Sequence, residues 1–477
     1  MLRGCDSRVP TAEQSPPPKS AKRKTSQLNH HYHHTSRKEK LIASKTGTES
    51  EIETLTLTRC STVSTANFTS HQIHRKQKHR RKRTSKLPIT GDYRQWSYST
   101  RDFSYCKDRV LLVSYNILGV ENAAKHPDLY SNISPKYLDW DYRKRLLHKE
   151  IKNYKPGVIC FQAISYSLRA LTEVDRFDDL DDLLKRDGFR GVYKARTGEA
   201  SDGCAIFWNN ELLTLLHEES LEFQTFGLRN NVSQLCIFRM NQSQLLMDMN
   251  SQAPKYSSSR TFLVGNIHVL FNPSRGDIKL GQMRLFLEKA QKLSQEWGGI
   301  PVVIAGDLNS MPQSAMYQFL TSSELDVQQH DRKQISGQIC PLENPSFDCR
   351  SSHAASFYSS KKPLMHRWSQ DELRLAAGSA VSHVRHPLKL CSAYVGVPGS
   401  TRSRNNIGEP LATSYHSKFM GTVDYIWHTG ELLPVKVLET LPINRLKETG
   451  GLPSKRWGSD HLALACELAF ADRGTEE

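Results

Sequence analysis

Several features that would define simple classes of protein are missing from this sequence of 477 residues. Its ten cysteines include no CxxC pair, so the sequence indicates neither a zinc ribbon nor a disulfide framework. Scattered cysteines in a long chain indicate reduced thiols inside the cell. No apolar run reaches about 18 residues, which excludes an ordinary transmembrane helix, so no membrane partner is expected. No internal repeat of about 20–50 residues is visible, which excludes a solenoid.

Net positive charge is small outside the N-terminal region. Residues 1–100 contain 20 Lys and Arg against 7 Asp and Glu, a net charge of +13, whereas residues 101–477 contain 45 against 42, a net charge of +3. The polar composition of residues 1–105 predicts a disordered basic segment. Its basic clusters at 21–24 and 74–83 favour a nuclear address or an RNA tether, with an organellar transit peptide as the alternative. We therefore expect the protein in the nucleus and the cytoplasm.

Residues 106–472 alternate between apolar strands and amphipathic helices, which predicts one large α/β (or α+β) domain. A polar stretch around 325–405 is interpreted as a variable surface insertion. The predicted strands are 109–118, 157–162, 203–208, 261–270, 301–310, 421–430 and 461–470, and the predicted helices are 140–154, 280–297 and 368–378.

Polar residues stand at the ends of several predicted strands, where an α/β scaffold presents catalytic groups. Carboxylate and amide oxygens suit Mg²⁺ or Mn²⁺, and histidine exchanges protons near neutral pH. Taken singly, each position is ambiguous, because an Asp-x-Asn turn after a strand often serves only to form the turn. The residues are Asn116, His268, Asp307, Asn309, Asp460 and His461, with Asp424 inside a predicted strand.

As an ordered set, the motifs NIL, NIHV, GDLNS, DYIW and SDH resemble the endonuclease/exonuclease/phosphatase superfamily. The closest resemblance, over about residues 107–470, is to the carbon catabolite repressor-type poly(A) deadenylases of the plant branch. It implies a four-layer sandwich of two mixed β-sheets flanked by helices, with the active site between the sheets. It also implies Mg²⁺-dependent removal of AMP from the 3′ end of a poly(A) tail, with Mn²⁺ as an alternative ion.

The resemblance also implies roles for the residues of the first three motifs. Asn116 would lie beside the metal-bound phosphate, and His268 would hydrogen-bond the scissile phosphate. Asp307 would orient or deprotonate the attacking water. Asn309 would contact the phosphate and a second metal position.

Further roles follow for the C-terminal motifs. Asp460 would orient His461, which would contact the phosphate, and Asp424 would support the metal and histidine network. Phe419 and Pro273 match positions that hold the terminal adenine in the deadenylases. Stacking a base on a flat apolar surface contributes about 1–3 kcal/mol, which gives the assignment of adenine binding to these two residues a physical basis.

The sequence departs from the family at the principal metal ligand, a glutamate expected directly after the second strand. Gln162 is followed there by Ala163, and the matching text EVDRFDDL begins only at Glu173. We interpret residues 163–172 as an in-frame insertion, either a real splice form or an artefact of exon prediction. Glu173 is then the expected metal ligand, with Asp175 as a support. We expect the chain without the insertion to be active and the chain as written to be much weaker.

Two other classes of function stay open at this point. The same fold could hydrolyse a small adenine nucleotide or a cyclic phosphate, or the chain could be a catalytically impaired RNA-tethering subunit. Deadenylase complex subunits are candidate partners, although the leucine-rich repeats that some relatives use for docking are absent. A zinc site is disfavoured because its residues match no familiar finger spacing. Those residues are Cys340, Cys349, His353, His383, His386 and Cys391.

Overall fold

The computed structural model describes residues 94–165, 176–200, 202–241, 260–338 and 368–471. Most of the predicted disordered segment, both basic clusters, Glu173 and Asp175 lie outside the described residues. None of the described helices is both long and apolar enough to cross a bilayer.

In chain order the strands are β1 (Trp96–Tyr98), β2 (Arg109–Asn116), β3 (Val158–Ser165), β4 (Phe189–Ala195), β5 (Asp202–Asn209), β6 (Leu213–Glu222), β7 (Val232–Met240), β8 (Thr261–His268), β9 (Val302–Asp307), β10 (Glu324–Asp326), β11 (His383–Arg385), β12 (Cys391–Ser392), β13 (Ser414–His416), β14 (Phe419–Gly421), β15 (Asp424–His428), β16 (Leu432–Leu438) and β17 (Leu464–Phe470). The α-helices are α1 (Val120–Lys125), α2 (Pro135–Leu138), α3 (Trp140–Tyr154), α4 (Arg176–Arg186), α5 (Gly276–Glu296), α6 (Ala315–Ser322), α7 (Gln370–Ala377) and α8 (Ile443–Lys447).

Two mixed sheets form the centre of the described fold. The first sheet has the order β1-β16-β17-β2-β3-β5-β4, and the second has the order β12-β15-β9-β8-β7-β6. Within them, β2 and β3 are parallel, as are β8 and β9, and the other neighbours are antiparallel. The parallel pairs matter for function, because they bring the ends of β2 and β3, and of β8 and β9, to the same edge of their sheets.

Apolar side chains fill three interfaces, which gives the four predicted layers. One cluster lies between the two sheets and includes Leu112 and Val264. A second packs α3 and α4 on the outer face of the first sheet, and a third packs α5, α6 and α7 on the second sheet. The predicted architecture of two mixed sheets flanked by helices is therefore confirmed.

Local sequence explains where α3 and α7 begin and where α3 ends. Asp139 accepts a hydrogen bond from the backbone of Tyr142 and caps α3, which covers the predicted residues and ends at left-handed Lys155. Ser369 and Glu372 form a reciprocal capping box at the start of α7. These caps satisfy backbone N–H groups that would otherwise lack partners at the helix starts.

Two predicted boundaries need correction. The disordered segment does not extend to residue 105, because β1 pairs with β16 and Phe103 is buried against Val435. The stretch 325–405 is also not wholly a surface insertion. Its described parts supply buried apolar residues to the core beside α5, among them Leu325, Leu373 and Val384. The sequence did not reveal these buried residues, because each is an isolated apolar residue in a short strand or helix whose other residues are mostly polar.

Gly265 lies in the centre of β8, where the side chain of Phe286 in α5 packs close to the strand. A Cβ atom there would lie 2.6 Å from the ring of Phe286 and 2.9 Å from Ile304 Cδ1. We expect Gly265→Val to lower the free energy of unfolding by roughly 1–3 kcal/mol through overpacking, measured by chemical denaturation. Gly430→Val is the matched control, since nothing lies within 4 Å of that position. Equal stability of the two variants would contradict this account of the packing.

Candidate active site

Strand register brings the predicted polar residues to one end of the two sheets. In the second sheet, Asp307 at the end of β9 pairs with His268 at the end of β8 and with Asp424 at the start of β15. In the first sheet, Asn116 ends β2, and His461 precedes β17. Each residue therefore stands at a strand terminus on the same edge of the sandwich.

Asp307 is the shared contact of this group. Its Oδ2 accepts a hydrogen bond from Asn116 Nδ2 at 2.9 Å, and its Oδ1 accepts one from the backbone N–H of Asn309 at 2.8 Å. The Nε2 atoms of His268 and His461 lie 3.5 Å and 3.9 Å from Oδ2. The carboxylate is only 1% exposed, so its charge acts in a medium with little screening by water.

His461 and Asp424 form a buried ion pair. His461 Nδ1 lies 2.8 Å from Asp424 Oδ2. Burial lowers the pKa of His461, but the carboxylates of Asp424, Asp460 and Asp307 outweigh this effect and raise the pKa to about 10. Burial, assisted by the charge of Asp307, raises the pKa of Asp424 to about 6 against the effect of His461. At neutral pH the pair is thus an imidazolium next to a carboxylate.

The predicted contact between Asp460 and His461 is not what the structure shows. Asp460 Oδ2 instead accepts a hydrogen bond from the Tyr130 hydroxyl at 2.8 Å, and Asp424 orients the imidazole. Asp460 therefore acts on His461 through its charge alone.

Buried polar side chains hold the segment that carries His461, and the sequence analysis did not find them. Ser459 Oγ donates to the backbone oxygen of Asn116 at 2.6 Å. The fully buried Arg143 donates to the backbone oxygens of Gly458, Ile117 and Leu118. Arg143 shares the buried face of α3 with Leu147, one turn away. A charged residue at an apolar position was the signal that could have revealed it.

A buried lysine supports the turn after β9. Lys279 of α5 has no exposed surface, and its Nζ donates to the backbone oxygen of Asn309 at 2.5 Å. Burial lowers the pKa of Lys279 to about 7, against the opposing effect of Asp307. Asn309 itself has a left-handed backbone (φ 44°), and its side-chain amide donates to Val269 O at 3.0 Å. The side chain of Asn309 is therefore used in holding the turn.

The predicted insertion begins inside a strand. Residues 163–165 continue β3 and pair with β5, with a register shift between Gln162 and Ile164. Ala163 has a φ of 58°, which is uncommon for a residue with a Cβ atom. Gln162 lies beside Asn116 in the sheet and donates to Asn266 Oδ1 at 2.8 Å. The position after Gln162 therefore lies at the same edge as Asn116.

The predicted adenine-binding residues lie on connections at this edge. Phe419 begins β14 of the short β13–β14 hairpin, and its ring centroid lies 5.9 Å from that of His416. The same hairpin joins His461 through a bridge at Ser414. Pro273 lies in the turn between β8 and α5, five residues after His268. Both side chains are partly exposed, so a base can reach them.

The disfavoured zinc cluster gains no support from the residues that are described. His386 is buried, with its Nε2 3.0 Å from the backbone oxygen of Phe319, and Cys391 lies in β12. Cys340, Cys349 and His353 lie outside the described part of the chain.

The donor set fits a hard divalent cation. One ligand atom each from Asp307, Asp424 and His461 lie within 4.8 Å of one another. Carboxylate oxygens suit Mg²⁺ or Mn²⁺, whereas a protonated His461 offers no lone pair to a metal. Asp307 and Asp424 are therefore the described residues that would hold the ion, with Glu173 as the further ligand predicted from the sequence.

The fold and this constellation define a phosphoester hydrolase of one known class. Residues 113–461 match the model of the Endonuclease/Exonuclease/phosphatase family, and the chain belongs to that family. It is a hydrolase similar to the carbon catabolite repressor proteins.

Particular relatives are similar over most of their length. Carbon catabolite repressor protein 4 homolog 5 of Arabidopsis thaliana is 57% identical over 84% of this chain and 86% of its own. Homolog 3 of the same plant is 44% identical over 83% of both chains. Among solved structures, that of ANGEL2, described as a 2′,3′-cyclic phosphatase, is 26% identical, with a TM-score of 0.59 over 79% of this chain and 99% of its own.

The ion pair predicts an unusual protonation state for one histidine. With divalent ions removed by EDTA, we expect His461 to keep both ring protons at about pH 8, well below its pKa of about 10. In Asp424→Asn the pKa should fall, because the carboxylate next to Nδ1 is lost. Histidine ring ¹⁵N NMR measures this directly, with His461→Gln to assign the signal.

The sign of the pH effect on stability follows from the raised pKa. The favourable contribution of protonated His461 is complete below its unfolded pKa of about 6.5 and is lost as the pH rises towards 10. A neutral His461 at pH 8 in the wild-type protein would disprove the assignment of the pair.

Proposed function

We propose that this protein is a Mg²⁺-dependent 3′-to-5′ exoribonuclease, a deadenylase that shortens mRNA poly(A) tails and releases AMP. The observation that carries the proposal is the convergence of Asn116, His268 and His461 on the buried carboxylate of Asp307. The family membership fixes the class of reaction, and the partly exposed Phe419 beside this group suits an adenine-bearing substrate.

The side chains supply the proton and charge chemistry of phosphodiester hydrolysis. Asp307 orients the attacking water and accepts its proton as the new P–O bond forms and the bond to the leaving 3′-oxygen breaks. Burial, only partly offset by Asp307, lowers the pKa of His268, so its neutral ring donates one hydrogen bond to a phosphate oxygen. The protonated His461 places positive charge where negative charge develops. A bound divalent cation would add charge neutralisation at the phosphate.

The substrate side of the proposal rests on Phe419 and Pro273. A terminal adenine would stack against Phe419 and contact Pro273, each stacked base contributing about 1–3 kcal/mol. Single-stranded RNA ending in adenosines is therefore the proposed partner. Association with deadenylase complex subunits, and residence in the nucleus and cytoplasm, are further proposals from the sequence. The localisation rests on the basic clusters, which lie outside the described residues.

A second candidate function is hydrolysis of a 2′,3′-cyclic phosphate at an RNA end. The likeness to the ANGEL2 structure favours it. The same buried carboxylate and pair of histidines suit attack of water on a cyclic phosphodiester. Two RNAs of one sequence, ending in a free 3′-hydroxyl or in a 2′,3′-cyclic phosphate, separate the two functions, because only the first can yield a ladder of shortened products without prior ring opening.

The insertion provides the first test. Deleting residues 163–172 joins Glu173 to Gln162, which lies beside Asn116 in the first sheet. We expect the full chain with this deletion to shorten a 5′-labelled oligo(A)-tailed RNA in Mg²⁺ on the order of a hundredfold faster than the chain as written, since misplacing a ligand by about 1 Å can cost that much.

Each outcome of the deletion experiment decides something. Equal rates would show that Glu173 reaches the site in both forms and would contradict the prediction that the insertion weakens activity. If neither form yields a ladder or AMP, the deadenylase proposal is rejected. Release of the cyclic phosphate alone would then favour the second candidate, whereas RNA binding without any hydrolysis would favour the tethering function.

Replacing the central carboxylate should slow the reaction strongly. We expect Asp307→Asn, made in the more active form, to lower kcat by roughly 10²–10⁴-fold, because the amide accepts no proton from water. Asp371→Asn, at an exposed position of α7, is the matched control, with unchanged kcat. Thermal unfolding of both variants separates lost chemistry from lost folding. Full activity of Asp307→Asn would exclude the proposed role.

A further inference from the structure

A second cleft opens at the same end of the first sheet as the candidate active site. It has a volume of about 880 Å³. The charged side chains that line it are four arginines and two glutamates, and we call it the arginine cleft: Arg94, Arg402, Arg445, Arg456, Glu439 and Glu448. None of these residues belongs to the catalytic group described above.

Sheet register places the arginine cleft beside the candidate site. β16 ends at Leu438, which pairs with Trp96, and the cleft is formed by the segments that continue beyond this pair. β16 lies two strands from β2 in the sheet, which is roughly 10 Å at the usual spacing. Asn116 at the end of β2 is therefore a short lateral distance from the cleft.

A small apolar cluster connects the cleft to the adenine-binding hairpin. Trp457 lines the cleft and packs in a cluster with Tyr415 and Met420 of the β13–β14 hairpin. Leu452 N–H donates to the backbone oxygen of Tyr415 at 3.0 Å. Met420 is next to Phe419, and Trp457 stands three residues before Asp460. The wall of the cleft and the candidate site are thus parts of one packed unit.

Two of the arginines that line the cleft have exposed side chains. The buried Arg94 is paired with Glu150, and Glu439 is neutralised by Arg404 at 2.7 Å. Arg445 pairs with Glu448 at 2.9 Å. The side chains of Arg402 and Arg456 are exposed at the rim. The cleft therefore offers guanidinium groups next to a partly exposed tryptophan.

We propose that the arginine cleft binds the backbone phosphates of single-stranded RNA on the 5′ side of the nucleotide being removed. This inference rests on the proposed function. Arginines together with an aromatic ring form the usual surface for single-stranded nucleic acid, since guanidinium groups pair with phosphates and the ring stacks on bases. Its contiguity with the hairpin of Phe419 favours the body of the substrate over an acidic protein partner.

RNA binding without hydrolysis tests the arginine cleft directly. In EDTA, fluorescence anisotropy with a labelled oligo(A) is measured over a range of salt concentrations for the full chain and for Arg402→Ala/Arg456→Ala. We expect roughly tenfold weaker binding, and a salt slope shallower by about 1.4 because each lost phosphate contact removes about 0.7. Arg239→Ala is the matched control, because this exposed residue lies at the opposite end of the second sheet.

The outcomes separate the cleft from the catalytic proposal. Unchanged affinity and salt slope in the double variant would overturn the cleft assignment. In the form that hydrolyses RNA, the double variant should raise KM for a long oligo(A) while leaving hydrolysis of the dinucleotide ApA unchanged. An equal loss on both substrates would contradict the assignment. If no form hydrolyses RNA, the proposed function fails, yet the anisotropy still decides the cleft. Arg402→Gln alone, with a thermal melt, excludes misfolding as the cause.

Discussion

The hydrogen bond between Asn116 and Asp307 joins the ends of the two sheets, and the rest of the candidate site is arranged around it. Asn116 belongs to β2 of the first sheet and Asp307 to β9 of the second. A buried carboxylate is costly unless its oxygens are hydrogen-bonded, so the pairing of the sheets and the hydrogen bonds to Asp307 support each other. Both histidines take their positions relative to this fixed charge.

The surroundings of the site show how buried charges are accommodated. Arg143 carries a positive charge into the interior, and Lys279 places there an amine whose pKa burial lowers to about 7. Each donates to a backbone oxygen of a segment that bears site residues. These contacts fix turns that lack regular secondary structure, including the left-handed Asn309. Rigid turns matter because phosphoryl chemistry depends on placing groups to within a fraction of an ångström. The same buried hydrogen bonds therefore stabilise the fold and position the residues of the candidate site.

Much of the fold was predictable from the sequence because apolar period and length define individual strands and helices. The helix at 140–154 was predicted with the bounds that the structure has, and Asn116, His268 and Asp307 were placed at strand ends. The predicted start of α5 at residue 280 was wrong by four residues. The helix begins at Gly276, and its first turn contains polar residues that weaken the apolar pattern. β1 was missed because three residues at a sheet edge carry too little apolar pattern.

The sequence by itself determined the family, the layers and the residues that gather at one edge, because motif order and hydrophobic periodicity are local properties of the chain. Tertiary structure decided which residue contacts which. Asp424 rather than Asp460 orients His461, and Tyr130 and Arg143, far away in the chain, complete the network. Such pairings depend on strand register and side-chain direction across two sheets, which no single stretch of sequence encodes.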